Sequence, residues 1–286
     1  MMKIKLTRRV WIRTMIYSGF ATVCGVGYIS AKRLEVVRLD VPLAGLPKKL
    51  DGLKIGVMAD FHAGPFTRLE DIVYSVNLIS REKPDLIVLL GDYVEGGVYR
   101  RPNPEKVEKE AYVFDALRNL KAPFGVYAVL GNHDHWTDAD LVREKLSNLA
   151  IPLLDNQNTV LDNGLALAGV DDFWEGPSFP YKALRDVGRE SAIILLSHNP
   201  DVNLQLKGDD RVRLVLSGHT HGGQIRLPLI DWAPWIPCSM KYRGSSGLIR
   251  ETGRRWTFIT KGIGTFLIPV RLNCPPDVGI LRLRKI

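Results

Sequence analysis

The sequence predicts an α/β domain whose parallel strands end at a common polar edge, and three observations lead there. Between residues 54 and 221, a short apolar run that stops at a metal-ligand residue type recurs five times. Segments with helical apolar spacing lie between these runs. All six histidines sit just past the ends of the runs.

Ile55-Gly-Val-Met-Ala59 leads into Asp60 and His62, and Leu86-Ile-Val-Leu-Leu90 leads through Gly91 to Asp92. Val126-Tyr-Ala-Val-Leu130 leads through Gly131 to Asn132 and His133. Ile193-Ile-Leu-Leu196 leads through Ser197 to His198, and Leu214-Val-Leu216 leads through Ser217-Gly218 to His219 and His221. Such runs, bounded by Gly or polar residues, read as buried strands. Thr67-x-x-Glu70 reads as a capping box. Leu69, Ile72, Val73, Val76 and Ile79 follow it at helical spacing. Asn103-Pro104 reads as an N-cap with a first-turn proline, and Val107, Ala111, Phe114 and Leu117 continue that stripe. Thr137-x-x-Asp140 opens a further helix. Strand–helix–strand alternation requires crossovers and therefore parallel strands. Ligands bind beyond the carboxyl ends of such strands, so the five clusters are expected to meet in space.

The net charge of +8 suggests nucleic acid until it is located. Lys3, Lys5, Arg8, Arg9, Arg13, Lys32 and Arg33 fall within residues 1–33, where there is no acid. The rest of the chain is close to neutral, so no nucleic-acid groove is indicated. The basic charge points instead to targeting or a membrane surface. Residues 14–31 carry no charge. They approach the short limit of about 17–25 residues for a spanning helix, and their small residues also fit a signal segment. Thr7-Arg8-Arg9-Val10-Trp11-Ile12-Arg13 resembles a twin-arginine export signal. The positive-inside rule puts the body on the extracytoplasmic side of the cell membrane. Residues 1–33 are therefore expected to be an N-terminal membrane anchor or twin-arginine-type signal, preferably uncleaved, and residues 34–286 one catalytic domain. Cys24, Cys238 and Cys274 show no CxxC spacing, which excludes a zinc ribbon and leaves a Cys238–Cys274 pair open.

Imidazoles and carboxylates without thiolate suit Mn, Fe, Zn or Co rather than a structural zinc. Asp60, His62, Asp92, Asn132, His198, His219 and His221 exceed the needs of one ion. Two divalent ions sharing an Asp use them all, at a spacing of about 3.5–4 Å suited to in-line displacement. Water bound there reaches a pKa near 7, which supplies a hydroxide nucleophile. No P-loop is present, which disfavours a kinase or ATPase.

Asp60-Phe-His62, Gly91-Asp92-Tyr-Val-Glu95, Gly131-Asn132-His133-Asp134, Ser197-His198 and Gly218-His219-Thr-His221, in this order, resemble the calcineurin-like metallophosphoesterase superfamily. Gly222-Gly223-Gln224-Ile225, Lys261-Gly262-Ile263-Gly264-Thr265 and Pro269-Val-Arg271-Leu-Asn273-Cys-Pro275-Pro276 are similar to its branch of small bacterial membrane-associated or twin-arginine-exported phosphodiesterases. The resemblance implies two packed mixed β-sheets flanked by helices, with an N-terminal apolar helix. It implies a first metal on Asp60, His62 and His221, a second on Asn132, His198 and His219, and Asp92 bridging them. It further implies that His133 contacts the phosphate and protonates the leaving oxygen, with Asp134 orienting His133 by accepting its other N–H. Glu95 stands where this branch often has Asp, and either acid serves there.

Other residues have two readings each. His135 reaches substrate or lies on the surface beside the site. Asp171-Asp172-Phe173-Trp174-Glu175 forms a substrate-facing loop or an ordinary turn. The stretch 227–237, with Trp232 and Trp235, dips into lipid headgroups and holds an acyl chain, or folds over the core as a lid. Arg243 and Arg271 pair with substrate phosphate or with structural partners. The expected activity is hydrolysis of a phosphodiester, with a membrane-associated, lipid-linked ester as the first candidate substrate. The alternatives are a pyrophosphohydrolase of a nucleotide-linked lipid of the UDP-diacylglucosamine type, and a metal-binding scaffold without turnover.

Overall fold

Each of the five apolar runs forms a strand in the computed structural model, which describes residues 7–96, 102–188, 192–227, 232–239, 246–251 and 253–286. In chain order the elements begin with α1 (Arg8–Ala31), β1 (Glu35–Leu43), β2 (Lys54–Met58), α2 (Leu69–Arg81) and β3 (Leu86–Leu89). Next come α3 (Pro104–Lys109), α4 (Tyr112–Leu117), β4 (Val126–Ala128), α5 (Asn132–Thr137), α6 (Ala139–Asn148), β5 (Gln157–Val160) and β6 (Ala166–Gly169). The chain closes with α7 (Pro180–Ala183), β7 (Ile193–Leu196), β8 (Val212–Ser217), β9 (Gly247–Arg250), β10 (Trp256–Ile259) and β11 (Asp277–Lys285).

The strands form two mixed sheets, ordered β1-β11-β2-β3-β4 and β5-β6-β7-β8-β10-β9. Within the first, β2, β3 and β4 run parallel. Within the second, β6, β7, β8 and β10 do. The period-2 alternation of a strand decides what each sheet face covers. Ile55, Val57, Leu86 and Val88 of the first sheet share one core with Ile194, Leu196, Leu214 and Leu216 of the second. Their neighbours Ile87 and Leu89 face a core that includes Ile72, Ile79, Phe114 and Leu117 from the helices. Ile193, Leu195 and Val215 face a third core with Ala183 and Leu184. The result is helix, sheet, sheet, helix, the two-sheet architecture expected from the sequence. The strands are apolar on both faces because both faces are covered.

Local signals hold with shifts. Asn103 Oδ1 accepts the Lys106 N–H at 3.0 Å with Pro104 in the first turn, as the sequence predicts. Before α2 the box lies one residue later than expected: Asp71, not Glu70, accepts the N–H of Arg68 at 3.0 Å. Before α6 the cap is Asp138, whose Oδ1 accepts from Leu141 N at 3.0 Å, because Thr137 still belongs to α5 and bonds back to His133 O. No disulfide joins Cys238 and Cys274, so the pair left open by the sequence does not form.

Residues 8–31 form one 24-residue helix, largely exposed. Among the described residues no helix is long and apolar enough to cross a membrane. The uncharged stretch is diluted by Thr14, Ser18, Gly19, Thr22, Gly25 and Gly27, and the two threonine hydroxyls bond back to helix carbonyls. Lys3 and Lys5 lie outside the described residues.

Candidate metal centre

The sequence-predicted ligands meet where the two sheets end side by side. The loop after β2 zips onto the loop after β3, with Asp60 N donating to Gly91 O and His62 N to Asp92 O, both at 3.0 Å. The loops after β7 and β8 join in the same way, Gly218 N donating to His198 O at 3.0 Å. Two contacts tie one sheet edge to the other. The Asp60 carboxylate accepts from His219 N at 3.0 and 3.1 Å, and His198 Nδ1 donates to Leu90 O at 2.6 Å.

The backbone at these strand ends is unusual. Asp60, His62, Asp92, His219 and His221 have φ of 52°, 44°, 55°, 69° and 50°. Non-glycine residues rarely enter this left-handed region, and they concentrate there at functional sites. Each such residue breaks the strand and turns its side chain toward the shared edge. Gly131 is required for a different reason. A Cβ there would collide with Asp92 Oδ1 and lie 2.8 Å from His198 Nδ1.

The seven side chains fall into two sets. His221 Nε2 lies 3.0 Å from His62 Nε2 and 3.6 Å from Asp60 Oδ1. Asn132 Oδ1 lies 2.8 Å from His219 Nδ1 and 3.1 Å from His198 Nε2, and the two ring nitrogens are 3.2 Å apart. Asp92 Oδ2 stands between the sets, 3.5 Å from His62 Nε2 and 3.2 Å from His198 Nε2. All seven residues are at least 95% buried.

Ring tautomers test whether cations fit this arrangement. His198 gives its Nδ1 proton to Leu90 O, so in the neutral ring Nε2 carries a lone pair. That lone pair faces Asn132 Oδ1 and Asp92 Oδ2, both acceptors. A converging set of acceptors in a buried site is unfavourable without positive charge among them. The residues therefore fit a pair of divalent ions, and groupings close enough to hold an ion arise at Asp60–His62–His221 and at Asp60–Asp92–His198.

Titration behaviour reports the same demand for positive charge. Burial opposes charge on His198, yet the Asp92 carboxylate, with Asp60 and Asp172, pushes its imidazolium up to about 10. Asp92 is held well below the usual carboxylate range: burial opposes this, but His198 and His133 dominate. Burial pushes Asp60 up to about 7, with Asp92 adding to the shift. Burial lowers His62 and His221 well below the ordinary imidazole value and His219 to about 3, so these rings are neutral, as ligands must be.

His133 and Asp134 extend the site. The His133 N–H donates to Asp92 Oδ1 at 2.8 Å. Its ring meets His62 edge-on at 4.5 Å between centroids, and its Nδ1 accepts the N–H of Gly96 at 3.0 Å. The neutral ring therefore carries its proton on Nε2. Burial lowers His133 to about 4, which keeps it neutral near pH 7. Asp134 does not take the orienting role expected from the resemblance. Its oxygens accept the main-chain N–H groups of Gly131, Asp92 and Tyr93 at 2.8, 2.9 and 2.9 Å. It locks the turns that carry Asp92 and Asn132, while Gly96 orients His133.

A cavity of about 190 Å³ opens onto Asp92, Asn132, His133, His219 and His221. Trp136, Trp174, Trp235, Pro237 and Phe266 form its apolar wall. Trp174 sets its edge against His219 at 4.4 Å between centroids, and Trp235 stacks on Phe266 at 6.1 Å. Of the two readings for residues 171–175, the cavity-facing one therefore holds for Trp174. Asp172 Oδ1 caps the Trp174 and Glu175 N–H groups at 2.9 Å. His135 meets Asp171 Oδ1 at 2.7 Å, so it braces this loop. Trp235 belongs to the cavity wall, whereas residues 228–231 and Arg243 lie outside the described residues. Arg271 does not face substrate: it is fully buried and its guanidinium is spent on main-chain carbonyls. Phe266 was missed by sequence reasoning. Its one signal is its place directly after the Lys261–Thr265 motif.

Residues 53–223 match the family described as calcineurin-like phosphoesterase. The chain belongs to this family. An uncharacterized metallophosphoesterase of Bacillus subtilis (strain 168), YkuE, is 30% identical over 98% of this chain and 99% of its own length. Phosphodiesterase YaeI of Escherichia coli (strain K12) is 34% identical over 80% of this chain and 82% of its own. The solved structure of a dimetal phosphatase from Danio rerio aligns over 74% of this chain and 88% of its own, with a TM-score of 0.48 and 13% identity. Membership makes the chain a metallophosphoesterase, and buried Asp/His clusters able to hold a metal ion lie at its strand ends.

Proposed function

We propose that this chain is a phosphodiesterase acting on a membrane-associated substrate through two ions drawn from Mn, Fe, Zn and Co. The observation that carries the reading is Asp92 Oδ2 standing between two ligand sets, 3.5 Å from His62 and 3.2 Å from His198. When bound, a pair of divalent ions supplies an activated water and offsets charge developing on the phosphoryl oxygens. Asp60, His62, Asp92 and His221 hold one position; Asp92, Asn132, His198 and His219 hold the other. His133 offers its Nε2–H to the leaving oxygen as a hydrogen bond, because burial keeps the ring neutral. The aromatic wall excludes water, which strengthens each of these interactions. YaeI, a relative at 34% identity, is named a phosphodiesterase, and this supports the diester over a monoester.

The membrane part rests on different ground. Arg8, Arg9 and Arg13 lie on α1 and no acid occurs before Glu35, a pattern that favours anionic headgroups. Apolar residues including Trp11, Ile16, Tyr17 and Phe20 are more than half exposed on the same helix. Gly27 of α1 touches Val270, and Leu267 and Ile268, just before it, are exposed at the cavity's Phe266 side. Exposed apolar residues therefore occur both on α1 and on the segment that follows Phe266 of the cavity wall. On this reading residues 1–33 direct export and the charge bias favours an extracytoplasmic body, which a C-terminal reporter fusion tests.

Trp136 and Trp174 favour a second reading. Their flat faces suit stacking of a nucleobase, so a pyrophosphate bond in a nucleotide-linked lipid is the alternative substrate. One experiment separates the readings: metal analysis of the purified chain, coupled to turnover of bis-p-nitrophenyl phosphate, p-nitrophenyl phosphate and UDP-linked glycolipids. Two bound ions with diester turnover support the first reading and preferential cleavage of the UDP linkage supports the second. Two ions without any turnover leave a scaffold and overturn both.

A further inference from the structure

Among the described residues no carboxylate lies within ion-pair distance of the Arg271 guanidinium, although it is fully buried. It gathers main-chain carbonyls instead. Nη1 donates to His221 O at 3.3 Å and Cys274 O at 3.2 Å. Nη2 donates to Lys261 O at 2.7 Å and Gly264 O at 2.6 Å, and lies 3.4 Å from His221 Nδ1.

Those carbonyls belong to the two walls of one ligand set. The loop 261–264 rests on the turn that carries Asp60 and His62, with Ile263 N donating to Ala59 O at 3.1 Å and Gly264 N to Asp60 O at 2.7 Å. The approach is so close that a Cβ on Gly262 would lie 2.5 Å from Asp60 Cβ, and one on Gly264 would lie 2.9 Å from His62 Cβ. His221 forms the other wall. Arg271 therefore spans the Asp60–His62–His221 set and touches neither Asn132, His198 nor His219.

The backbone of Arg271 is held from outside the domain. Its N–H donates to Gly27 O of α1 at 2.9 Å. Gly27 and Ala31 are the buried residues of that helix. A Cβ on Gly27 would overlap Val270 Cγ1 and lie 3.2 Å from Leu272 Cδ2, the side chains on either side of Arg271. Helix α1 fits there because position 27 has no side chain.

We propose that Arg271 is a positioning residue for the Asp60–His62–His221 metal site, and that docking of α1 through Gly27 sets it. On this reading the N-terminal helix is part of the site's framework as well as a tether. The proposal rests on the dimetal reading above, and the wild-type chain tests that reading separately.

The test is Mn²⁺ titration of the metal-free full-length chain, followed by calorimetry and by the EPR signal of the bound ion. Wild type is expected to bind two ions; if it binds none, the dimetal reading falls and this proposal with it. Gly27→Ala introduces the clashing Cβ, and Val270→Ala removes its target. Gly27→Ala alone is expected to weaken one of the two sites by about ten- to a hundredfold and leave the other unchanged. The Gly27→Ala/Val270→Ala pair is expected to restore the weakened site. Arg271→Lys, which keeps the charge but not the fork, is expected to weaken the same site. Unchanged binding in both Gly27→Ala and Arg271→Lys overturns the proposal, and so does equal weakening of both sites. If Arg271→Lys fails to fold, the Gly27 and Val270 variants decide alone.

Discussion

The main-chain N–H of His133 donates to Asp92 Oδ1 at 2.8 Å, and this leaves Asp92 Oδ2 free to face His62 and His198. One oxygen is committed to the backbone and the other lies between the two ligand sets. Asp92→Asn keeps the size but presents a neutral amide where the shared negative charge stood. Bound metal is expected to fall from two ions to one or none, and turnover of bis-p-nitrophenyl phosphate to background. The tertiary fold is expected to persist, because the substitution adds no bulk. Elemental analysis beside an activity assay checks both, and full metal content with undiminished turnover would refute the bridging role.

His133 is lowered to about 4 by burial, and the Gly96 N–H occupies its Nδ1. A group with a depressed imidazole pKa is neutral in the folded chain throughout the neutral range. It acts there by hydrogen bonding from Nε2, without gaining or losing a proton as pH moves from about 6 to 8. His133→Gln is expected to lower kcat by about 10²–10³, as loss of one preorganised hydrogen-bond donor does, with two ions still bound. The shape of the pH–kcat profile between about 6 and 8 is expected to stay the same. A wild-type inflection in that window that vanishes in the variant would show instead that His133 titrates.

Much of this framework is legible in the sequence, for identifiable reasons. The five ligand-bearing strands are largely buried, so apolar residues run almost continuously and stop where the ligands begin. The edges were not legible. In β1 and β11, Arg38, Asp40, Arg282 and Arg284 interrupt the apolar pattern, and the two strands pair across nearly the whole chain length. No local signal reports such a partner. The positive φ of Asp60, His62 and Asp92 was equally hidden, because left-handed turns are ordinarily announced by Gly or Asn. The resemblance implies that Asp134 orients His133, whereas its carboxylate turns back to three main-chain amides. Arg271 read as a phosphate ligand or an ion-pair member, since a cluster of carbonyls leaves no trace in a sequence.

Metal binding is expected to expel protons. In the metal-free chain His198 is held up to about 10 by Asp92, Asp60 and Asp172, although burial opposes its charge. Its folded pKa lies above the ordinary imidazole value. Its stabilising contribution is therefore complete below about 6.5 and is lost as pH rises through about 10. At pH 8 the ring still carries the proton that an incoming cation must displace. Calorimetric titration with Mn²⁺ in two buffers of different ionisation enthalpy is expected to show net proton release at pH 8, shrinking as pH approaches 10. The metal-free melting temperature is expected to fall over the same window, and the metal-saturated one to fall less. Equal apparent enthalpies in the two buffers at pH 8 would contradict this account.

Trp235 offers a test of the proposed membrane-associated substrate. It stacks on Phe266 at an interplanar angle of 17° yet is 57% exposed. Gln224 fixes the segment beneath it: its Oε1 accepts from Phe266 N at 2.9 Å, and its Nε2 donates to Phe266 O and Ile268 O at 3.1 Å. The indole is thus a rigid apolar surface at the cavity mouth that contacts no metal ligand directly. An indole that enters the headgroup region gains about 1.5–3 kcal/mol from burial, roughly ten- to a hundredfold in apparent affinity. Trp235→Ala is therefore expected to raise the apparent KM for a diester presented in anionic vesicles by about tenfold or more. Turnover of soluble bis-p-nitrophenyl phosphate is expected to fall less than turnover in vesicles, the residual loss reflecting the indole's place in the cavity wall. Equal losses on both substrates would assign Trp235 to the chemistry of the site, and no loss on either would remove the vesicle surface from the substrate reading.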